Sequence, residues 1–297
     1  MPSFGVSLES LSADRPMVMT ALALLPVVVP VGYVLYTSWA VYRNTTSISG
    51  RLAPRQEAFA SETSHPAEPH SLPAEVKNNP SQWVVTYERV VSKPLSSSSL
   101  AYRPEEPQLS GPTTQPSRLL QEVSRSMQKA FSRTPQAIII RGALSEPLNK
   151  GSFDRAWIDN LCFKPGDIVN GVYKVSCSTK EQTTGVERVE LLIDIPPSYK
   201  GPRVRGLILA AIEPASCVRS SYKGPAEERI LVVNETWMWR LADEKPTLLE
   251  SSIGRWFHRL LAGWLILKGV SGVYGRKKEI VETFEMLVRQ ALNPRQY

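Results

Sequence analysis

Cysteine is scarce in this chain, and the three present, Cys162, Cys177 and Cys217, are far apart with no CxxC pair. That spacing excludes a structural zinc site and a thioredoxin-type redox motif, and an odd count does not suit a disulfide-stapled secreted domain. Free thiols of this kind behave mainly as small hydrophobes. The motifs of common catalysis are missing as well: there is no GxSxG elbow, HExxH, Walker loop or GxGxxG. No metal site and no cofactor is therefore expected. Basic residues outnumber acidic ones, 35 Lys+Arg against 28 Asp+Glu, for a formal charge of +7. They are spread along the chain, however, without an arginine-rich helix or an aromatic-basic RNA motif, so nucleic acid is not an expected partner. The excess favours anionic neighbours of other kinds.

The longest absence is of charge, since no residue from Pro16 to Tyr42 carries any. The run MTALALLPVVVPVGYVLY within it is long enough for a bilayer, which needs roughly 20 apolar residues. The expectation is a transmembrane helix over 17–42, after an N-terminal tail over 1–16. A cleaved signal peptide is the rival, with Ser38-Trp39-Ala40 as its processing site. Arg43, Arg51 and Arg55 follow the run against Arg15 before it, which orients a single-pass protein with its C-terminal domain in the cytosol. Two glycosylation sequons, at Asn44 and Asn234, matter only if the domain is lumenal.

Residues 43–81 are rich in Ser, Pro, Glu and Ala and lack periodicity, which predicts a disordered tether. Residues 82–297 read as one α+β domain, with a second Pro/Ser-rich, disordered insertion at 94–117. In the domain, Gln82 to Val91 is dense in β-branched and aromatic residues and reads as a strand. Ser117 caps a helix whose apolar stripe runs Leu119, Leu120, Val123, Met127 and Phe131. Ala137 to Ile140 reads as a short buried strand and Phe153 to Leu161 as a helix. Four strands follow, at 167–176, 188–195, 204–213 and 228–241, joined too closely for crossover helices, and so expected as an antiparallel meander.

A long helix over 249–268, placed in the core or at a membrane interface, and an amphipathic one in GRKKEIVETFEMLVRQAL complete the chain. The fold class is thus α+β, a curved antiparallel sheet covered by a long C-terminal helix. The glycines of 269–275 serve a helix connection or, less economically, an anion site. The pentapeptide SYKGP occurs at 198–202 and 221–225, on either side of the strand 204–213, so the meander puts the copies at opposite ends of it.

Glu235 lies by period two on the face of Leu231, Val233, Trp237, Trp239 and Leu241, where desolvation would disfavour its charged form. With His258, the only histidine outside the expected tether, it forms a candidate acid-base pair should the two converge. The alternative is a carboxylate paired with a basic side chain and a core histidine. Tyr173, Trp237, Trp239 and Trp264 are the candidate ligand-binding aromatics.

The strands 204–213 and 228–241 followed by ESSIGRWFHRLLAGWLIL resemble the helix-grip architecture of START-like lipid and polyketide-binding domains. That resemblance implies a hydrophobic cavity under the C-terminal helix. The layout of apolar segment, Pro/Ser-rich stretch and folded domain also looks like that of fungal membrane-anchored proteins found near biosynthetic genes. The resulting expectation is a single-pass membrane protein whose domain binds a lipid or apolar small molecule. An accessory enzyme of cyclase or isomerase type and a non-catalytic membrane-recruitment module are the alternatives, and no protein partner is indicated.

Overall fold

The computed structural model describes residues 31–52, 66–102, 115–181, 183–215 and 228–274. Two compact units divide the chain after Arg43. In the first, the described residues 31–43 are helical (α1), with the Arg43 guanidinium 5.3 Å from the centre of the Trp39 ring.

The expected membrane anchor is corrected by the absence of a spanning helix: no helix among the described residues is long and apolar enough to cross a membrane. The single-pass assignment, and the cytosolic orientation that depended on it, are not supported. Residues 17–30 of the expected span lie outside the described residues.

The second unit is α+β, built on a curved antiparallel sheet with a C-terminal helix. Its strands are β1 (Thr45–Arg51), β2 (Trp83–Ser92), β3 (Leu95–Ser96), β4 (Ile168–Val169), β5 (Tyr173–Lys180), β6 (Glu187–Ile193), β7 (Arg205–Pro214) and β8 (Arg229–Leu241). The order is β1-β2-β8-β7-β6-β5-β4, with β3 also on β8. Strands β5 to β8 form the expected meander. The N-terminal β2 closes back on β8 at the centre, pairing Glu88 with Thr236 and Arg89 with Glu235.

Helices α2 (Ala74–Asn78), α3 (Arg118–Phe131), α4 (Pro135–Ala143), α5 (Pro147–Gly151), α6 (Arg155–Asp159) and α7 (Ser252–Val273) complete the unit. The Ser117 side chain accepts the Leu120 N–H at 3.3 Å and so starts α3 as its sequence implies. Leu119, Val123 and Met127 of α3 pack with Ala262 and Ile266 of α7 over Val90, Ala210 and Val232 of the sheet. Most of α7 is therefore a core helix, although Ile253, Trp256 and Phe257 in its first turns stay exposed.

The opposite face is also covered, and the cover is the segment read as a tether. Leu72 and Val76 are buried against Val85, Tyr87, Leu209 and Trp237. Glu190, 1 % exposed, accepts the backbone N–H groups of His70 and Ser71 at 2.8 and 2.7 Å. Residues 45–51 pair with residues 86–92 of β2, as an edge strand. A few apolar anchors and backbone donors met by a buried carboxylate hold a stretch whose average composition is polar. Residues 53–65, including His65, lie outside the described residues.

Three further readings are corrected. Ala137 to Ile140 belongs to helix α4, because Pro135 at its first turn and the Thr134 cap on Ala137 N–H outweigh the β propensity of three isoleucines. Ile138 and Ile139 are accordingly exposed. The strand expected over 167–176 is broken into β4 and β5 by Asn170 and Gly171, both at positive φ. The helix expected over 153–161 is shortened to α6, with α5 before it. In the expected insertion, Leu95 to Leu100 is ordered, with β3 on β8, and 103–114 lie outside the described residues, as do Cys217, the second SYKGP and the final amphipathic segment.

Candidate functional site

The sheet separates the candidate residues into two groups. Side chains alternate along a strand, so Glu235, Trp237 and Trp239 of β8 point to the face covered by residues 66–81, while Asn234 and Thr236 point to the helices. His258, on α7, is on the helix side. Glu235 and His258 therefore lie on opposite faces and do not converge.

Glu235 is buried, and its carboxylate is paired with the Arg89 guanidinium across the β2–β8 ladder and accepts the Trp237 indole N–H at 2.9 Å. Arg89 holds Glu213 as well, at 2.6 Å. These carboxylates keep the Arg89 guanidinium charged, raising its pKa against the opposing effect of burial. Nearby, burial and then the Glu235 charge raise the Tyr87 phenol. An apolar pocket around Glu235 is thus replaced by an ion-pair network of one guanidinium and two carboxylates. Trp237, fully buried, stacks at 4.9 Å on Tyr87 within that core and reaches no ligand space.

On the helix side, the carboxylate that meets His258 is Glu88, whose Oε2 pairs with His258 Nδ1. Both side chains are largely buried, at 3 % and 16 % exposure. Glu88 was legible only through register: Thr86, Glu88 and Val90 share a face of β2, and pairing with β8 turns that face to α7. A cavity of about 50 Å³ adjoins the pair, walled by Tyr173, Gln128, Asn234 and Thr236 among others. Burial raises Tyr173 above the ordinary phenol range, with Tyr199 adding to the effect. Gln128 accepts the Asn170 amide at 2.6 Å. At roughly 30 Å³ per liquid water, this space suits one or two waters.

The sequons fare differently. Asn234 is 4 % exposed in the middle of β8, which no modifying enzyme can reach in the folded state. Asn44 is exposed at the entry to β1, and its carbonyl accepts the Lys93 N–H at 2.9 Å. Trp264 is half-buried on α7 with the Lys268 ammonium 5.6 Å from its ring centre, and lines neither cavity described here.

Trp239 marks the larger space. A cleft of about 630 Å³ opens at the sheet end where β6 finishes, β7 begins and β8 finishes. Ile193, Ile195, Val204, Trp239, Pro246 and Leu248 give it apolar walls, and Arg203, Arg205, Arg240, Glu244 and Lys245 a charged rim. Two bidentate pairs set its shape. Arg205 holds Glu244 at 2.7 and 3.0 Å, and Arg240 holds Glu250 at 2.7 and 2.9 Å. Glu250 also accepts the Thr247 N–H in a capping box, which fixes the loop carrying Lys245, Pro246 and Leu248. Together these donors hold the Glu250 carboxyl down at about 2. The first SYKGP copy supplies the other wall: Lys200 N–H bonds Ala143 C=O at 3.0 Å, and Pro202 lines the cleft.

Among the described residues no group of His, Cys, Asp and Glu is placed to hold a metal ion. Comparison with protein-family models, with characterised proteins and with solved structures finds no match to this chain.

Proposed function

We propose that the domain binds a hydrophobic small molecule in the strand-end cleft beside Trp239. The observation that carries this reading is size joined to lining. The cleft, about 630 Å³, falls in the range of roughly 300–1,000 Å³ typical of small-molecule sites, and its walls are mainly apolar. The helix-side cavity, about 50 Å³, cannot take such a molecule without displacing α7. A ligand held under the C-terminal helix, as the helix-grip resemblance implies, is thus less well supported than one at the sheet end.

An accessory enzyme of cyclase or isomerase type would have to use His258 with Glu88, since Glu235 is held by Arg89 on the other face. That pair has one asset, a histidine oriented by a carboxylate, and one obstacle, a neighbouring space of water size. Ligand binding in the larger cleft is the reading we prefer.

Val204 and Leu248 are exposed, at 42 % and 49 %, so polar substitution there tests the cleft without threatening the fold. Neutral N-phenyl-1-naphthylamine should fluoresce on binding to the wild-type protein, and Val204→Ser with Leu248→Ser should weaken its affinity about tenfold, from roughly 1.4 kcal/mol of lost apolar contact. Equal affinity for wild type and double variant removes the cleft as the binding site.

A further inference from the structure

Resting on that reading, we infer that the ligand is an amphiphile with one anionic head, an apolar body in the cleft and its head between Arg203 and Lys245. The rim carries four cations and one carboxylate, Glu244. Two of the cations are already answered, Arg205 by Glu244 and Arg240 by Glu250, in the bidentate geometry that neutralises a guanidinium best. The other two are not. Arg203 gives an N–H to the Pro197 carbonyl at 2.8 Å but meets no described carboxylate, and Lys245 forms no ion pair with a described residue.

Their placement gives the charge direction. Arg203 comes from the loop before β7 and Lys245 from the loop after β8, so the unanswered cations stand on both walls of the cleft. Both walls are held in place: the Glu250 capping box fixes the one, and the Lys200 to Ala143 bond the other. A neutral ligand leaves two like charges facing an occupied apolar site. A carboxylate or sulfonate answers them while its hydrocarbon lies along Val204, Leu248 and the edge of Trp239. Charge complementarity and the apolar walls thus select the same molecule, an organic monoanion of small size.

A matched pair of probes isolates the head group. 1-Anilinonaphthalene-8-sulfonate and N-phenyl-1-naphthylamine share a body and differ by the sulfonate. The wild-type protein is expected to bind the sulfonate about tenfold tighter at low salt, with the advantage shrinking as KCl is raised. Arg203→Glu with Lys245→Glu should reverse the preference, weakening the sulfonate dye far more than the neutral one. Arg203→Gln with Lys245→Gln should abolish the preference, and urea midpoints equal to wild type show that the variants remain folded.

Dissolved octanoate is expected to displace the sulfonate dye, and the protein should stay in the supernatant with phosphatidylglycerol vesicles. Co-sedimentation that the charge reversal abolishes overturns the inference in favour of a lipid surface. Equal affinity for the two dyes, untouched by charge reversal, overturns the anionic head while the cleft reading stands. Loss of the Val204 and Leu248 effect for the neutral dye is the separate result that removes the cleft itself.

Discussion

At the residue scale, the sheet centre shows how one position decides between two chemistries. Glu88 and Glu235 sit on neighbouring strands one ladder step apart, and that single step sends them to opposite faces. Glu235 is answered by Arg89 and Glu88 by His258. Glu250 is the carboxylate with the most to lose. Its pKa is depressed from 4.5 to about 2, first by the Arg240 hydrogen bonds and then by the Thr247 N–H, against the opposing effect of burial. A carboxylate depressed in the folded state contributes stability above its unfolded pKa and loses it as pH falls through the folded one. Glu250→Gln should therefore cost up to about 3 kcal/mol at pH 7, from roughly 1.36 kcal/mol per pKa unit less solvent screening. The difference from wild type should fade between about pH 4.5 and pH 2. Urea unfolding at a series of pH values measures it, and a pH-independent difference would show that Glu250 acts through packing alone.

Among elements, α3 and α7 approach closely at two glycines of α7, Gly269 beside Met127 and Val123 and Gly272 beside Ser126. A Cβ at Gly269 would stand 2.9 Å from Met127 Cγ and 3.1 Å from Val123 Cγ1, both within the buried stripe of α3. Gly269→Val should destabilise the domain by about 1–3 kcal/mol through overpacking, although valine has the better helix propensity. A midpoint shift at constant m in urea reads this out, and a neutral result would mean the two helices can separate without loss. The elements themselves differ in how openly they are written. The apolar stripe of α3 and its Ser117 cap, and the alternation in β7 and β8, are local signals and are read directly. The α4 isoleucines mislead, because a Thr-Pro start fixes a helix before side-chain preference is consulted. Asn170-Gly171 was a legible turn inside what reads as one strand.

For the whole molecule, the consequential fact is that both faces of the sheet are buried, the second by residues 66–81. If those residues were a tether, truncating Leu72 would change stability by no more than about 0.5 kcal/mol. With Leu72 3 % exposed in the second core, Leu72→Ala should instead cost about 2–5 kcal/mol by denaturant titration. The same covering explains why Trp237, an attractive ligand residue on the strand pattern, is walled in, whereas Trp239 two residues later reaches the cleft at the sheet's end. Of the candidate residues, Trp239 is the one the structure brings to a space of ligand size. Arg203 and Lys245 carried no local signal, being two surface cations far apart in sequence.

The sequence by itself determined the α+β class, the antiparallel meander and the cap and stripe of α3, because each follows from interactions among residues near one another in the chain. Tertiary structure alone decided that β2 joins β8, that His258 meets Glu88 and not Glu235, and that 66–81 covers a core. It also decided that the usable cleft lies at the end of the sheet. Those outcomes turn on strand register and on which surface each long-range contact removes from water, and neither is encoded in any one stretch of the chain.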